Sequence, residues 1–208
     1  MSLTTICGVT VLRSLIISLI GVYLCQRLSS LIDRTAKRYT IFVWLVALAP
    51  ILVPELIVGY TWSLLTTHLI HFPVLAEAVY SILVLLRVVP VGLICYHVTA
   101  ETQISEEADF IRKAASRTGN AISSLSVQWS FFLRKILVRT VPVWCLLFLL
   151  AFQEFEMASL LYLNSWTVWI FDAQAGGVPV RETLVYLVIP LIIEVLLIAG
   201  VLYLLRSL

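Results

Sequence analysis

Apolar stretches long enough to cross a bilayer recur along this chain, and one long segment between them, Glu101 to Arg139, is rich in charge. A helix needs roughly 20 apolar residues to span the hydrocarbon core. The chain is 61% hydrophobic and only 12% charged, with a mean hydropathy of +1.04. Soluble domains carry roughly 25% charged residues. A soluble protein this apolar could not cover its surface, whereas a bilayer accepts it. In lipid the backbone must satisfy its own polar groups, which leaves helices as the natural spanning element. The expected fold class is therefore an all-α integral membrane protein, with residues 1–208 as one transmembrane domain.

Five spans can be drawn: about Leu3 to Cys25, Thr40 to Leu65, Val74 to His97, Ile136 to Leu163 with an irregular far end, and Thr183 to Leu205. The connection between the first two holds Arg27, Arg34, Lys37 and Arg38 against Asp33 alone. The long connection, about residues 100–135 with its flank, holds Arg112, Lys113, Arg117, Arg134, Lys135 and Arg139. The other two, Thr66 to Pro73 and about 164–182, carry one Lys or Arg between them, Arg181. Lys and Arg gather on the cytoplasmic side of membrane proteins. The expected orientation in a cell (inner) membrane is therefore N-terminus outside and C-terminus, with Arg206, in the cytoplasm. Arg13 interrupts the first apolar run, which reads as a retained span and not a cleaved signal.

Cys7, Cys25, Cys95 and Cys145 stand singly in apolar stretches, as small buried hydrophobes do. Pro50 and Pro54, Pro90, Pro142 and Pro190 fall inside four of the spans. Each removes a backbone donor, and together they point to bent or broken helices around a cavity, an arrangement transporters use.

The charge-rich segment opens as an amphipathic helix. Ile104, Ala108, Ile111 and Ala115 recur at three- and four-residue steps. Ser105, Glu106, Glu107 and Asp109 suit a helix start, Arg112, Lys113 and Arg117 suit its end, and Gly119 its stop. Such a helix on the cytoplasmic face either docks a partner or lies on the surface alone.

Arg13-Ser-Leu-Ile-Ile-Ser-Leu, Ala49-Pro-Ile-Leu-Val-Pro-Glu-Leu-Ile-Val-Gly and Arg87-Val-Val-Pro-Val stand in order before this segment. Ser105-Glu-Glu-Ala-Asp opens it, and Val141-Pro142 closes it. Phe152-Gln-Glu-Phe-Glu-Met-Ala-Ser-Leu-Leu and Trp166-Thr-Val-Trp-Ile-Phe-Asp follow. In order and content these stretches resemble the permease subunit of binding-protein-dependent ABC importers, the type that includes ferric iron, sulfate, molybdate and thiamine importers. The resemblance implies a core of about five transmembrane helices with a cytoplasmic coupling helix. It also implies a second permease subunit, identical or related, an ABC ATPase subunit, and an extracytoplasmic solute-binding protein. Glu106, Glu107, Ala108, Ile111 and Ala115 would then couple to the ATPase. The chain departs from the family at Lys113, where the coupling motif has Gly, and in a longer separation between Glu107 and Pro142. Counting back from Pro142 puts Ser123 and Trp129 at the motif's Glu and Gly instead.

Glu55, Glu77, Glu154, Glu156 and Glu194 lie in or at the ends of spans, where ionisable groups are costly and mark pathways or partners. Glu154 and Glu194 are the pathway candidates among them. On one continuous helix Glu154 and Glu156 would point about 200° apart. Met157 to Phe171 is too apolar for a free loop, so a short outer helix or re-entrant element is expected, with Trp166 and Trp169 at the interface as gate candidates. Asp172-Ala-Gln-Ala-Gly-Gly-Val-Pro reads as a turn cluster. His68 and His71 stand three apart without a third ligand, so no metal site and no cofactor is assigned. No G-x-x-x-x-G-K-[ST], G-x-S-x-G or H-E-x-x-H pattern occurs. The chain is thus expected to be no enzyme, with ATP hydrolysis on a partner, and nothing assigns it to nucleic acid. The expected function is import of a small ion or solute, ferric iron being the preferred cargo. A degenerate, non-transporting membrane scaffold is the rival. An intramembrane enzyme or haem-binding subunit would need His68, His71 or His97 at matched depth in facing spans, which this topology separates.

Overall fold

Small residues on one face of the first helix organise the bundle. The computed structural model describes residues 3–54, 57, 61, 72–99 and 121–207, with side chains omitted at 37, 121–136 and 207. The long helices are α1 (Leu3–Arg34), α2 (Lys37–Leu52), α3 (Pro73–Val98) and α4 (Ala121–Phe152). Two short helices, α5 (Glu156–Leu160) and α6 (Trp166–Ala175), precede the last, α7 (Val180–Ser207). The described residues contain no strand. The fold is all-α, and its apolar helices are those of a multi-pass membrane protein.

Along α1, Cys7, Thr10, Ser14, Ser18, Gly21, Cys25 and Ser29 recur at three- and four-residue steps and are buried. Lipid tails are as apolar as leucine, so helices in a bilayer associate where small side chains let them approach closely. Here α3 and α4 close on that stripe. Leu147 of α4, fully buried, reaches between Gly21 of α1 and Gly92 of α3. A Cβ at Gly92 would stand 2.7 Å from one Leu147 methyl and 3.0 Å from the Cys25 sulfur; one at Gly21 would stand 2.9 Å from the other methyl. A side chain at either position would force Leu147 to shift within the core. Tyr80, Val84, Val88 and Leu93 of α3 complete this core with Ile17, Val143 and Ala151. Three of the four cysteines are buried in it or beside it, and Cys95 is half-buried.

Four segments are long and apolar enough to span a membrane: α1, α3, Leu137–Leu160 and α7. Within the second expected span the first helix ends early. Helix α2 runs through Pro50 but stops at Leu52, and Val53 is extended (φ −84°, ψ 121°). The cause is Pro54, because a residue before proline is driven out of the α region. Most of the remainder of that span lies outside the described residues.

Near the Val98 end of α3, Arg139 of α4 donates to the Tyr96 carbonyl (3.1 Å) and stacks on the Tyr96 ring at 3.6 Å. At the other end, α5 and α6 each stop in the same way. Leu163 N–H reaches back to the Ala158 carbonyl and Tyr162 N–H to Ser159, as Val178 does to Ala173 and Gly177 to Gln174. This double closure needs a left-handed residue. Gly177 (φ 86°) supplies it after α6, and Tyr162 (φ 55°) after α5. The expected turn cluster from Asp172 is therefore helical as far as Ala175 and turns only at Gly176 and Gly177.

Candidate functional site

Helix α4 passes through Pro142 intact and then ends at Phe152, in a stretch without proline or glycine. The chain re-enters helix only at Glu156. Side chains take over the backbone groups that this break sets free. Trp166 Nε1 donates to the Phe152 carbonyl (2.8 Å), and Thr167 Oγ1 donates to the Glu154 carbonyl (3.0 Å). Glu154 Oε1 accepts the Met157 N–H at 3.0 Å, capping the start of α5. Ser165 does the same for α6, its hydroxyl accepting from Val168 N–H at 3.3 Å. Non-helical backbone within a membrane bundle persists only where such partners or water satisfy it.

Glu154 itself is only 4% exposed. Its other oxygen accepts from Arg87 Nη1 in an ion pair. Arg87 lies near the middle of α3, so the break in α4 is held near the middle of a span. The guanidinium borders a cavity of about 550 Å³ whose other walls are apolar, among them Ala49, Pro50, Leu86, Val91, Leu150 and Met157. A second pair, Arg13–Glu77, ties α1 to the start of α3. Arg13 also donates to the Asn164 carbonyl (3.2 Å), and its guanidinium stands 5.1 Å from the centre of the buried Tyr80 ring.

On the opposite side of the break, Gln153 Nε2 donates to Glu194 Oε1 at 3.0 Å. Glu194 is near the middle of α7 and, with Gln153, Trp166 and Pro190, lines a second cavity of about 510 Å³. An aromatic ladder backs the break, with ring centres 6.0 Å apart for Trp144–Phe148, 5.6 Å for Phe148–Phe152 and 5.5 Å for Phe152–Trp166.

Three sequence candidates therefore converge on Phe152 to Phe155: Glu154 directly, Trp166 through the Phe152 carbonyl, and Glu194 through Gln153. Trp169 does not join them. It meets Tyr186 edge-on at 5.3 Å and packs α6 against α7. The two acids at 154 and 156 do not share a helix, because Glu154 lies in the break and Glu156 begins α5. Glu77 is the partner of Arg13, not a solitary interfacial acid. Arg13 and Arg87 are the functional candidates that the sequence reading left aside. Their signal was a basic residue inside an apolar span, which almost always has a partner in the bundle. Glu55, His68, His71 and the coupling residues Glu106, Glu107, Ala108, Ile111 and Ala115 lie outside the described residues. Among the described residues, no three His, Cys, Asp or Glu side chains are grouped to hold a metal ion.

The arrangement is a latch. Two charge pairs join α1 and α3 to one another and to the broken end of α4, and a cavity lies on each side of the break. No known protein family, curated protein or solved structure matches this chain.

Proposed function

We propose that this chain is the permease subunit of an ABC import system. It forms part of the pathway for a small ion or solute and couples to a separate ATPase. The observation that carries this reading is the discontinuity of α4 near the middle of the bundle, held by the ion pair of half-buried Arg87 with buried Glu154 beside the larger cavity. Transporters build their binding sites from discontinuous helices near the bilayer midplane. A pair that joins α3 to the far end of α4 is made in one arrangement of those helices and lost in another, which is what rocking between two access states requires. With the basic loops in the cytoplasm, α5 and α6 close the outer end and meet the solute-binding protein. The ATPase docks on the cytoplasmic segment that holds Ala108 and Ile111, and a second permease subunit completes the pathway.

The test is purification of the tagged full-length chain from its own membranes, followed by assay of ATP hydrolysis by the complex. Hydrolysis is expected with the unaltered chain. Ala108→Arg should lose both the ATPase and its activity while still inserting in the membrane. If the unaltered chain brings down no ATPase and no hydrolysis, the reading fails and the non-transporting scaffold takes its place.

A further inference from the structure

Glu194 is a carboxylate near the middle of a span, and among the described residues its hydrogen-bond partner is an amide. Gln153 Nε2 occupies one of its oxygens. No basic side chain among the described residues pairs with it; the two ion pairs there are those of Arg13 and Arg87. Intramembrane acids are retained where a cation, a proton or a partner compensates them. The cavity of about 510 Å³ beside Glu194 is within the range of small-molecule sites. Its remaining walls are apolar, from Leu187, Val188 and Leu191 on α7, with the indole of Trp166 fixed by its bond to the Phe152 carbonyl. Leu184 and Leu191, which border it, are each 57% exposed, so the cavity opens sideways toward the hydrocarbon and not along the helix axes.

We propose that this cavity is a binding site for an amphipathic organic cation, an amine with an aromatic or aliphatic body. The free oxygen of Glu194 takes the ammonium group, Trp166 offers an aromatic surface, and α7 receives the apolar body. Aromatic rings attract cations most strongly where water is excluded. An inorganic divalent ion is a poor fit: calcium and magnesium take six or more oxygen ligands and zinc four from Cys, His or carboxylate, whereas the cavity lining offers one carboxylate and one amide. A lipid amine is held at headgroup level, whereas Glu194 lies deep in the span. The occupant is thus a free molecule that partitions into the apolar phase. The proposal does not rest on the transport reading, because binding is measured on this chain alone.

The experiment is equilibrium binding of radiolabelled 4-phenylbutylammonium to the full-length protein in dodecyl maltoside, beside 4-phenylbutanol, which has the same body without the charge. The amine should bind saturably, and more tightly than the alcohol by about tenfold or more. Glu194→Gln keeps the shape and the bond to Gln153, and should bring the amine down to the level of the alcohol. Leu187→Trp fills the cavity and should abolish binding of both. A thermal unfolding scan on each variant confirms that it is folded. Equal binding of amine and alcohol to the unaltered chain overturns the proposal, as does a preference that survives Glu194→Gln. It is overturned too if no amine binds; a change of oligomeric state in Glu194→Gln would then assign the carboxylate to a second copy.

Discussion

Helices α1 and α7 are both long and apolar enough to cross a membrane, yet one is the centre of the bundle and the other, the more apolar of the two, stands almost clear of it. In the apolar window of α1 half the residues are buried, against 6% for α7. Burial here follows small side-chain size, and the more apolar helix is the less buried one. Helix α1 presents Ser14, Ser18, Gly21, Cys25 and Ser29 on one face. Helix α7 presents Leu184, Val188, Leu191, Val195 and Leu202, all exposed. Apolar surface gives no drive to associate once the solvent is lipid, so packing density and polar contacts decide which helices meet. What joins α7 to the rest is local: Gln153 to Glu194, and Trp169 against Tyr186.

The sharpest test of that contrast compares the two mid-span carboxylates. Arg87→Met strands Glu154, whose side chain is only 2% exposed, without its ion-pair partner. Glu154 is buried but Arg87 is half-exposed, so the loss lies between that of a surface pair and a fully buried one, about 1–3 kcal/mol, and the denaturation midpoint in mixed micelles should fall. Arg87→Lys should restore part of the loss, since the charge returns without the planar guanidinium. A loss under about 1 kcal/mol for Arg87→Met would mean that the latch contributes little, and the distinction between core and periphery would have to rest on packing alone.

Packing is tested next at Leu147. Gly92→Ala drives a methyl group into a side chain that Gly21 already confines from the other side. Overpacking of this kind costs about 1–3 kcal/mol. In a Leu147→Ala background, itself destabilised by the lost core side chain, Gly92→Ala should cost much less, because the added methyl then has room. A double-mutant cycle with no coupling between the two positions would show that Leu147 does not fill the space between the glycines.

The contrast also explains what the sequence could disclose. Long apolar runs establish helices and a membrane setting, because composition alone decides the solvent. The irregular end of the fourth span and the short helix at Trp166 were readable from apolar stretches too short to cross. Cys7 and Cys25 were readable as small buried residues, although the full stripe with Ser14, Ser18 and Gly21 declares itself only when α3 and α4 close upon it. The position of that irregularity, directly after Phe152, was hidden for a physical reason. The five prolines drew attention to kinks, yet Pro50, Pro90, Pro142 and Pro190 all lie inside continuous helices. Only Pro54 ends one. The break depends on partners distant in sequence, Arg87, Trp166 and Thr167, which satisfy the groups it exposes. A local pattern does not contain them.

The smallest expected effect is at Gly200, the counterpart of Gly92 on the other helix. A Cβ placed there meets nothing within 4 Å. The residue is exposed and lies in the interior of α7, away from the turns that need a glycine. Gly200→Ala therefore removes a flexible residue from a helix interior, a change that stabilises by about 0.5–1 kcal/mol in water. In lipid, where an isolated helix already holds its own hydrogen bonds, the gain should be smaller, under about 0.5 kcal/mol. The opposite signs for the same substitution at Gly92 and Gly200 are the point of the comparison. A thermal scan in which Gly200→Ala lowered the midpoint as much as Gly92→Ala would place a packed neighbour against α7. The helix would then be an assembly surface and not a lipid-facing one.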